Sequence, residues 1–185
     1  MDANSTKVTT GKVRFCYANV FEAVAMNEGE TPKYSVCIII PKDDEATLSK
    51  VRNAIDAAIE FGKSKLANNK GQVPSNLKTP LRDGDIDRAD DPAFENAYFL
   101  NASTSRKPAI VDKALEPIME RGEFYSGCYG RASINFYAFN SNGNKGIAAG
   151  LNNLQKLHDG EPLAGGSTAE EDFGGSNAYE DEDMM

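Results

Sequence analysis

Residues 129–158 constrain the fold more than any other stretch. Tyr129–Asn140 alternates strictly: Ala132, Ile134, Phe136 and Ala138 fall on one face, and Arg131, Ser133, Asn135, Tyr137 and Phe139 on the other. That period of two is a strand half buried against a core. Asn142-Gly143 then supplies the two left-handed positions of a tight hairpin turn, and residues 146–157 return as the paired strand. A chain with a long antiparallel ribbon at its C-terminal end must find further strands to cover the ribbon's apolar face.

The rest of the sequence offers them. Residues 11–24 alternate, with Val13, Phe15, Tyr17 and Asn19 opposite Arg14, Cys16, Ala18 and Val20. Residues 27–32 hold turn residues, Gly29 and Pro32 among them. Residues 33–40 are a β-branched run that reads as a buried strand ending at Pro41. The period then changes. Leu48, Val51, Ile55, Ala58 and Ile59 recur at helical spacing, Asp43 or Asp44 is placed to cap the start, and Lys63 and Lys65 suit the far end. This predicts one amphipathic helix of about five turns. Residues 67–96 read as a long irregular stretch, and 97–104 as a strand that residues 106–112 extend after a break. Gly127 and Gly130 mark a bulge or tight bend where the 129–140 strand starts. Five or six strands with hairpin links and a single helix predict a mainly β, α+β domain. The expected architecture is an OB-fold, a five-stranded Greek-key barrel carrying one long helix.

Charge divides the chain into three segments. It carries 28 acids and 20 bases, and nine of the acids but none of the bases follow His158. The body is therefore near neutral, and the net charge of −8 belongs to the tail. Residues 1–10 are polar and expected to be flexible, residues 11–158 form the domain, and residues 159–185, rich in Gly, Ser and acids, are expected to be disordered. The N-terminus has no apolar segment of the signal-peptide kind, and the longest apolar run is too short to span a membrane. Three unpaired, widely spaced cysteines suit a reducing cytoplasm.

Chemistry-bearing motifs are few. With one histidine and no CxxC, zinc is not expected. Neither a phosphate-binding P-loop nor a dinucleotide fingerprint occurs, so no cofactor is expected. Asp83, Asp85 and Asp87 open like a calcium loop, but Arg88 stands where glycine is needed and Phe94 where the bidentate glutamate belongs. A metal-dependent nuclease built on those three aspartates is the enzymatic alternative. A replication adaptor or protein-interaction module is another.

The stronger pattern is cations interleaved with aromatic rings on strands. Single-stranded nucleic acid asks for that mixture: charges to follow phosphates and rings on which bases stack. The candidates for stacking are Tyr17, Tyr129 and Tyr137, and for phosphates Arg14, Arg82, Arg106, Lys107, Arg131 and Lys145. The acidic tail would compete for such a groove. Its tip, Tyr179, Glu180, Asp181, Glu182, Asp183, Met184 and Met185, would also suit a basic-rimmed apolar pocket on a partner.

The blocks GKVRFCYANVFEA, KYSVCIIIPKDD, TPLRDGD, EFYSGCYGRASINFYAFN and NKGIAAGLNNLQKLHDGEPLAGG resemble those of the phage-type single-stranded DNA-binding proteins, a family once filed under a domain of unknown function. The resemblance runs from Gly11 to Gly166. It implies an OB-fold that coats single-stranded DNA without sequence preference during phage replication or recombination, in the cytoplasm of a bacterial host, and that catalyses nothing. It also implies polymerase, helicase or recombinase partners for the tail. Many such tails end in phenylalanine, whereas this chain ends in Met184-Met185.

Overall fold

The computed structural model describes residues 3–25 and 28–163. A 3₁₀ turn, Ala3–Thr6, leads into β1 (Lys7–Thr9), followed by β2 (Val13–Val24) and β3 (Lys33–Pro41). Then come α1 (Glu45–Phe61), α2 (Lys63–Leu66), β4 (Arg82–Asp83), α3 (Gly84–Asp87) and a 3₁₀ turn, Pro92–Phe94. The chain closes with β5 (Ala97–Thr104), β6 (Ala109–Val111), β7 (Tyr129–Ser141) and β8 (Asn144–His158).

Five of these strands form a closed ring. β7 pairs with β2, β2 with β3, β3 with β5, β5 with β8, and β8 back with β7. All the pairings are antiparallel except β5 with β8. This is the OB-fold barrel expected from the sequence. The three short strands are additions. β4 lies on β5, β6 on β8 and β1 on β7.

The interior follows the alternation. Ala132, Ile134, Phe136 and Ala138 are buried, with Val13, Phe15, Val36, Ile38, Ile40, Leu100 and Leu151 completing the core from the other strands. α1 closes the barrel with Leu48, Val51, Ala54, Ile55 and Ala58. Its start is capped as predicted, since the Asp44 carboxylate accepts the Thr47 N–H at 3.1 Å. The hairpin turn sits at Asn142 and Gly143, with φ of 52° and 90°.

The structure corrects the sequence reading at four places. Residues 7–9, expected to be mobile, pair with Ser133–Asn135 of β7. The helix breaks at Gly62, so Lys63 and Lys65 belong to the short α2. The stretch 67–96 contains β4 and α3. Finally, the body extends past His158. Asp159 accepts a bond from the Tyr125 hydroxyl at 3.0 Å and pairs with Lys156 at 2.6 Å, and the Leu163 N–H donates to the Ser126 carbonyl at 2.8 Å. The Lys156 and Tyr125 bonds hold the Asp159 carboxyl below its usual range. The remaining tail, with Tyr179–Met185, lies outside the described residues.

All three thiols are buried and free. Burial raises each of them, Cys37 to about 12. The thiolate is the reactive form, so iodoacetamide at mildly alkaline pH is expected to spare all three cysteines in the folded protein and to label them in denaturant. Fast labelling of the native protein would contradict this packing.

Candidate nucleic-acid interface

The outer face of β2, β3 and β5 is organised in rows by strand register. In the first, Arg14 stands opposite Ile39, Ile39 opposite Phe99, and Phe99 opposite Arg82 of β4. The second runs Cys16, Cys37, Asn101, and the third Asn19, Ser35, Ser103. The two ends of this face differ in chemistry. One is a small apolar cluster in which Phe94 and Leu163 pack over Cys16, Cys37, Ile39, Ala97 and Phe99, with Arg88 lying 5.3 Å above the Phe99 ring. The other is open. Val24, Gly29, Glu30, Thr31, Lys33, Ser35 and Ser103 line a groove of about 620 Å³.

The sequence candidates divide between this face and the far side of the barrel. Arg106 and Lys107 are exposed in the turn just beyond β5, where the Arg106 N–H donates to the Thr104 hydroxyl at 3.1 Å. Tyr17 is 41% exposed beside the third row. Its φ of 47° and the register shift between Cys16 and Asn19 show that a bulge breaks the expected alternation. Tyr17 consequently leaves the face of Val13 and Phe15, where simple alternation put it. Arg14 and Arg82 flank the apolar end. Arg14 donates from Nε to the Gly127 carbonyl at 3.0 Å and from its terminal nitrogen to the Glu161 carbonyl at 2.6 Å. Tyr129 adjoins it, with the Arg14 guanidinium 5.2 Å from the ring centre and the His158 ring at 5.1 Å. Gly127 has φ of 117°, and the Glu161 carbonyl occupies the space a Cβ would need, so only glycine lets the 159–163 segment close over this end.

Arg131, Tyr137 and Lys145 are elsewhere, on β7 and β8. Arg131 donates to the Thr10 carbonyl at 2.9 Å and Lys145 to the Ala67 carbonyl at 3.0 Å, backbone contacts of the kind Arg14 also makes. Tyr137 is 43% exposed. Sequence reasoning alone does not bring Lys33, Asn19, Ser35, Asn101 and Ser103 into the site. Nothing local marks small polar residues as a surface until register aligns them. Lys33 beside Tyr34 is the one available signal.

The three aspartates form no metal cluster. The Lys42 ammonium pairs with Asp83 at 2.9 Å and Asp85 at 2.7 Å. Those bonds raise Lys42, and the Lys42 bond followed by the Asn96 N–H lowers Asp85. Asp83 also caps α3 by accepting the Asp85 N–H. Among the described residues no three acid, histidine or cysteine side chains converge as a metal site. Nor is any helix there long and apolar enough to cross a membrane.

The family model described as Enterobacter phage Enc34, ssDNA-binding protein, matches residues 6–185. The chain belongs to that family. Among solved structures it resembles the single-stranded DNA-binding protein from bacteriophage Enc34 in complex with ssDNA, at 26% identity and a TM-score of 0.71, over 86% of this chain and 90% of that one. A further structure of the Enc34 protein superposes with a TM-score of 0.70 at 25% identity, covering 91% and 89% of the two chains. The single-stranded DNA-binding protein gp2.5 of bacteriophage T7 shares the fold at 13% identity, with a TM-score of 0.58 over 89% and 98%. A putative protein p50 of Acyrthosiphon pisum secondary endosymbiont phage 1 is 28% identical over 184 residues, 97% of this chain and 98% of that one.

Proposed function

We propose that this chain binds single-stranded DNA without sequence preference in phage replication or recombination, in the cytoplasm of the bacterial host, and that it acts without catalysis or cofactor. The observation that carries this reading is the family match across the whole barrel, together with a relative solved on single-stranded DNA. The open end of the β2–β3–β5 face is its seat. Lys33, Arg106 and Lys107 pair with phosphates and Tyr17 stacks a base, while Arg14, Tyr129 and Arg82 extend the site at its apolar end. Backbone contacts of this kind are blind to sequence, and rings stack on any base.

The acidic tail competes for this groove and recruits replication proteins such as a polymerase, helicase or recombinase. Its place of departure supports competition. Leu163 packs on the face that carries Cys37, one register row from Ser35 and Ser103. A strongly acidic segment tethered there acts at high effective concentration.

Titrating the full-length and tail-less proteins with oligo-dT across a salt series tests both statements. Binding is expected to quench tyrosine fluorescence and to weaken with salt, and removal of residues 164–185 is expected to tighten it at low salt. Absence of binding at low salt would refute the DNA reading. Equal affinity with and without the tail would leave recruitment alone.

A further inference from the structure

A second aromatic site lies away from the groove. Three aromatic side chains stand out among the described residues as large exposed hydrophobics: Tyr17, Phe61 and Tyr137. Two of them, Phe61 at 49% and Tyr137 at 43% exposure, line one cavity of about 270 Å³ where the end of α1 meets β7. Gly62 makes this meeting possible, because the Ala138 methyl occupies the space its Cβ would fill. Ser64 and Lys65 complete the rim. The local charge is positive. Lys65 and Lys7 are exposed, and the neighbouring acid Glu60 is engaged by Lys63 at 3.0 Å.

The strand register connects this cavity to the groove. The third row of the outer face continues past β5. Ser103 stands opposite Gly150 of β8, Gly150 opposite Asn135 of β7, and Asn135 opposite Lys7 of β1. The Asn135 side chain lies over Gly150, leaving no bulky group on the crossing. Tyr137 follows two residues later on the same face of β7. The row from β3 to β7 spans three interstrand steps, about 14 Å at the usual spacing, a few nucleotides of extended strand.

We propose that the Phe61–Tyr137 cavity is a second base-stacking slot, occupied by a nucleobase of the same single strand after it leaves the groove and crosses β8. This rests on the DNA-binding reading above and extends the DNA path around the barrel. Cations beside exposed rings suit a nucleotide, which brings a phosphate and a flat base together.

The test uses full-length protein and two lengths of oligo-dT, about four and about sixteen nucleotides, spanning the usual site sizes of an OB-fold. Phe61→Ala and Tyr137→Ala are each expected to weaken the longer oligomer roughly five- to a hundredfold, the worth of one stacked base. They are expected to leave the shorter one unchanged. Tyr137→Phe keeps the ring and is expected to bind like the parent, which separates stacking from damage to the fold. Photo-crosslinking of an iodouracil-substituted long oligomer is expected to label peptides containing Phe61 or Tyr137. Parental affinity in both alanine variants, with crosslinks confined to the groove, would overturn the slot. Tighter binding by those variants would also overturn it, by making the cavity a dock for the chain's own tail. Failure of the parent protein to bind either oligomer would instead remove the DNA reading itself.

Discussion

Replacing Lys33, Arg106 and Lys107 together by glutamate is expected to weaken oligo-dT binding a few hundredfold at about 0.15 M salt while leaving the fold intact. All three are exposed at the open end of the β2–β3–β5 face. Reversing a charge about 4 Å from a phosphate changes the interaction by about 2 kcal/mol in water, and salt screening roughly halves that. Three such changes sum to about 3–4 kcal/mol, a few hundredfold in affinity. The salt dependence should fall as well, by about 0.7 in the slope of log affinity against log salt for each phosphate that is no longer neutralised. Surface substitutions of this kind shift stability by only about 0.5 kcal/mol, so the melting curve should barely move. A triple variant with parental affinity and parental salt slope would place the DNA elsewhere on the barrel.

Phe15→Ala is expected to bring the protein close to its unfolding threshold. Phe15 is 0% exposed, and its ring lies 5.0 Å from that of Phe124 at 41°. Its backbone is bonded on both sides, donating to the Cys128 carbonyl at 3.0 Å and accepting from the Gly127 N–H at 2.7 Å. The side chain therefore pins β2 against the turn that enters β7, where the ring of strands closes. Truncating a buried phenylalanine costs about 3–5 kcal/mol, out of a total of about 5–15 kcal/mol for a domain. A urea titration should show the midpoint collapse with little change in slope. A loss under about 1 kcal/mol, far below the usual cost of such a truncation, would mean that the β2–β7 seam is not packed as described.

Much of the barrel is legible in the sequence. Val13, Phe15, Val36, Ile38 and the even-numbered residues of 132–138 announce buried strand faces, because a side chain on a strand has only two directions to choose between. Asp44 and the spacing of Leu48, Val51 and Ile55 announce α1 for the corresponding helical reason. The bulge at Tyr17 is not legible. A left-handed residue other than glycine leaves no trace in local composition, and one extra residue reverses the direction of everything after it. Lys7–Thr9 are not legible either. A three-residue strand with a single apolar residue, the buried Val8, carries too little pattern, and it exists because β7 offers it an edge.

The candidate site divides along the same line. The sequence specifies its ingredients, cations beside tyrosines on strands and a tail that carries the chain's net charge. It does not specify which of them meet. Arg14 and Arg82 are far apart in the chain, yet they close the two ends of one register row through Ile39 and Phe99. Arg131 and Lys145, equally good candidates by composition, sit on β7 and β8 instead.

The sequence by itself determined the alternation, the hairpin, the helix and the segregation of charge, because each depends on neighbours a few residues apart. Only the tertiary structure decided that Ser35 and Ser103 line a groove beside Lys33, with Asn19 in register with them, and that the 159–163 segment lies across Arg14. Those contacts follow from the register between strands distant in the chain, which is fixed when the whole ring closes on its core.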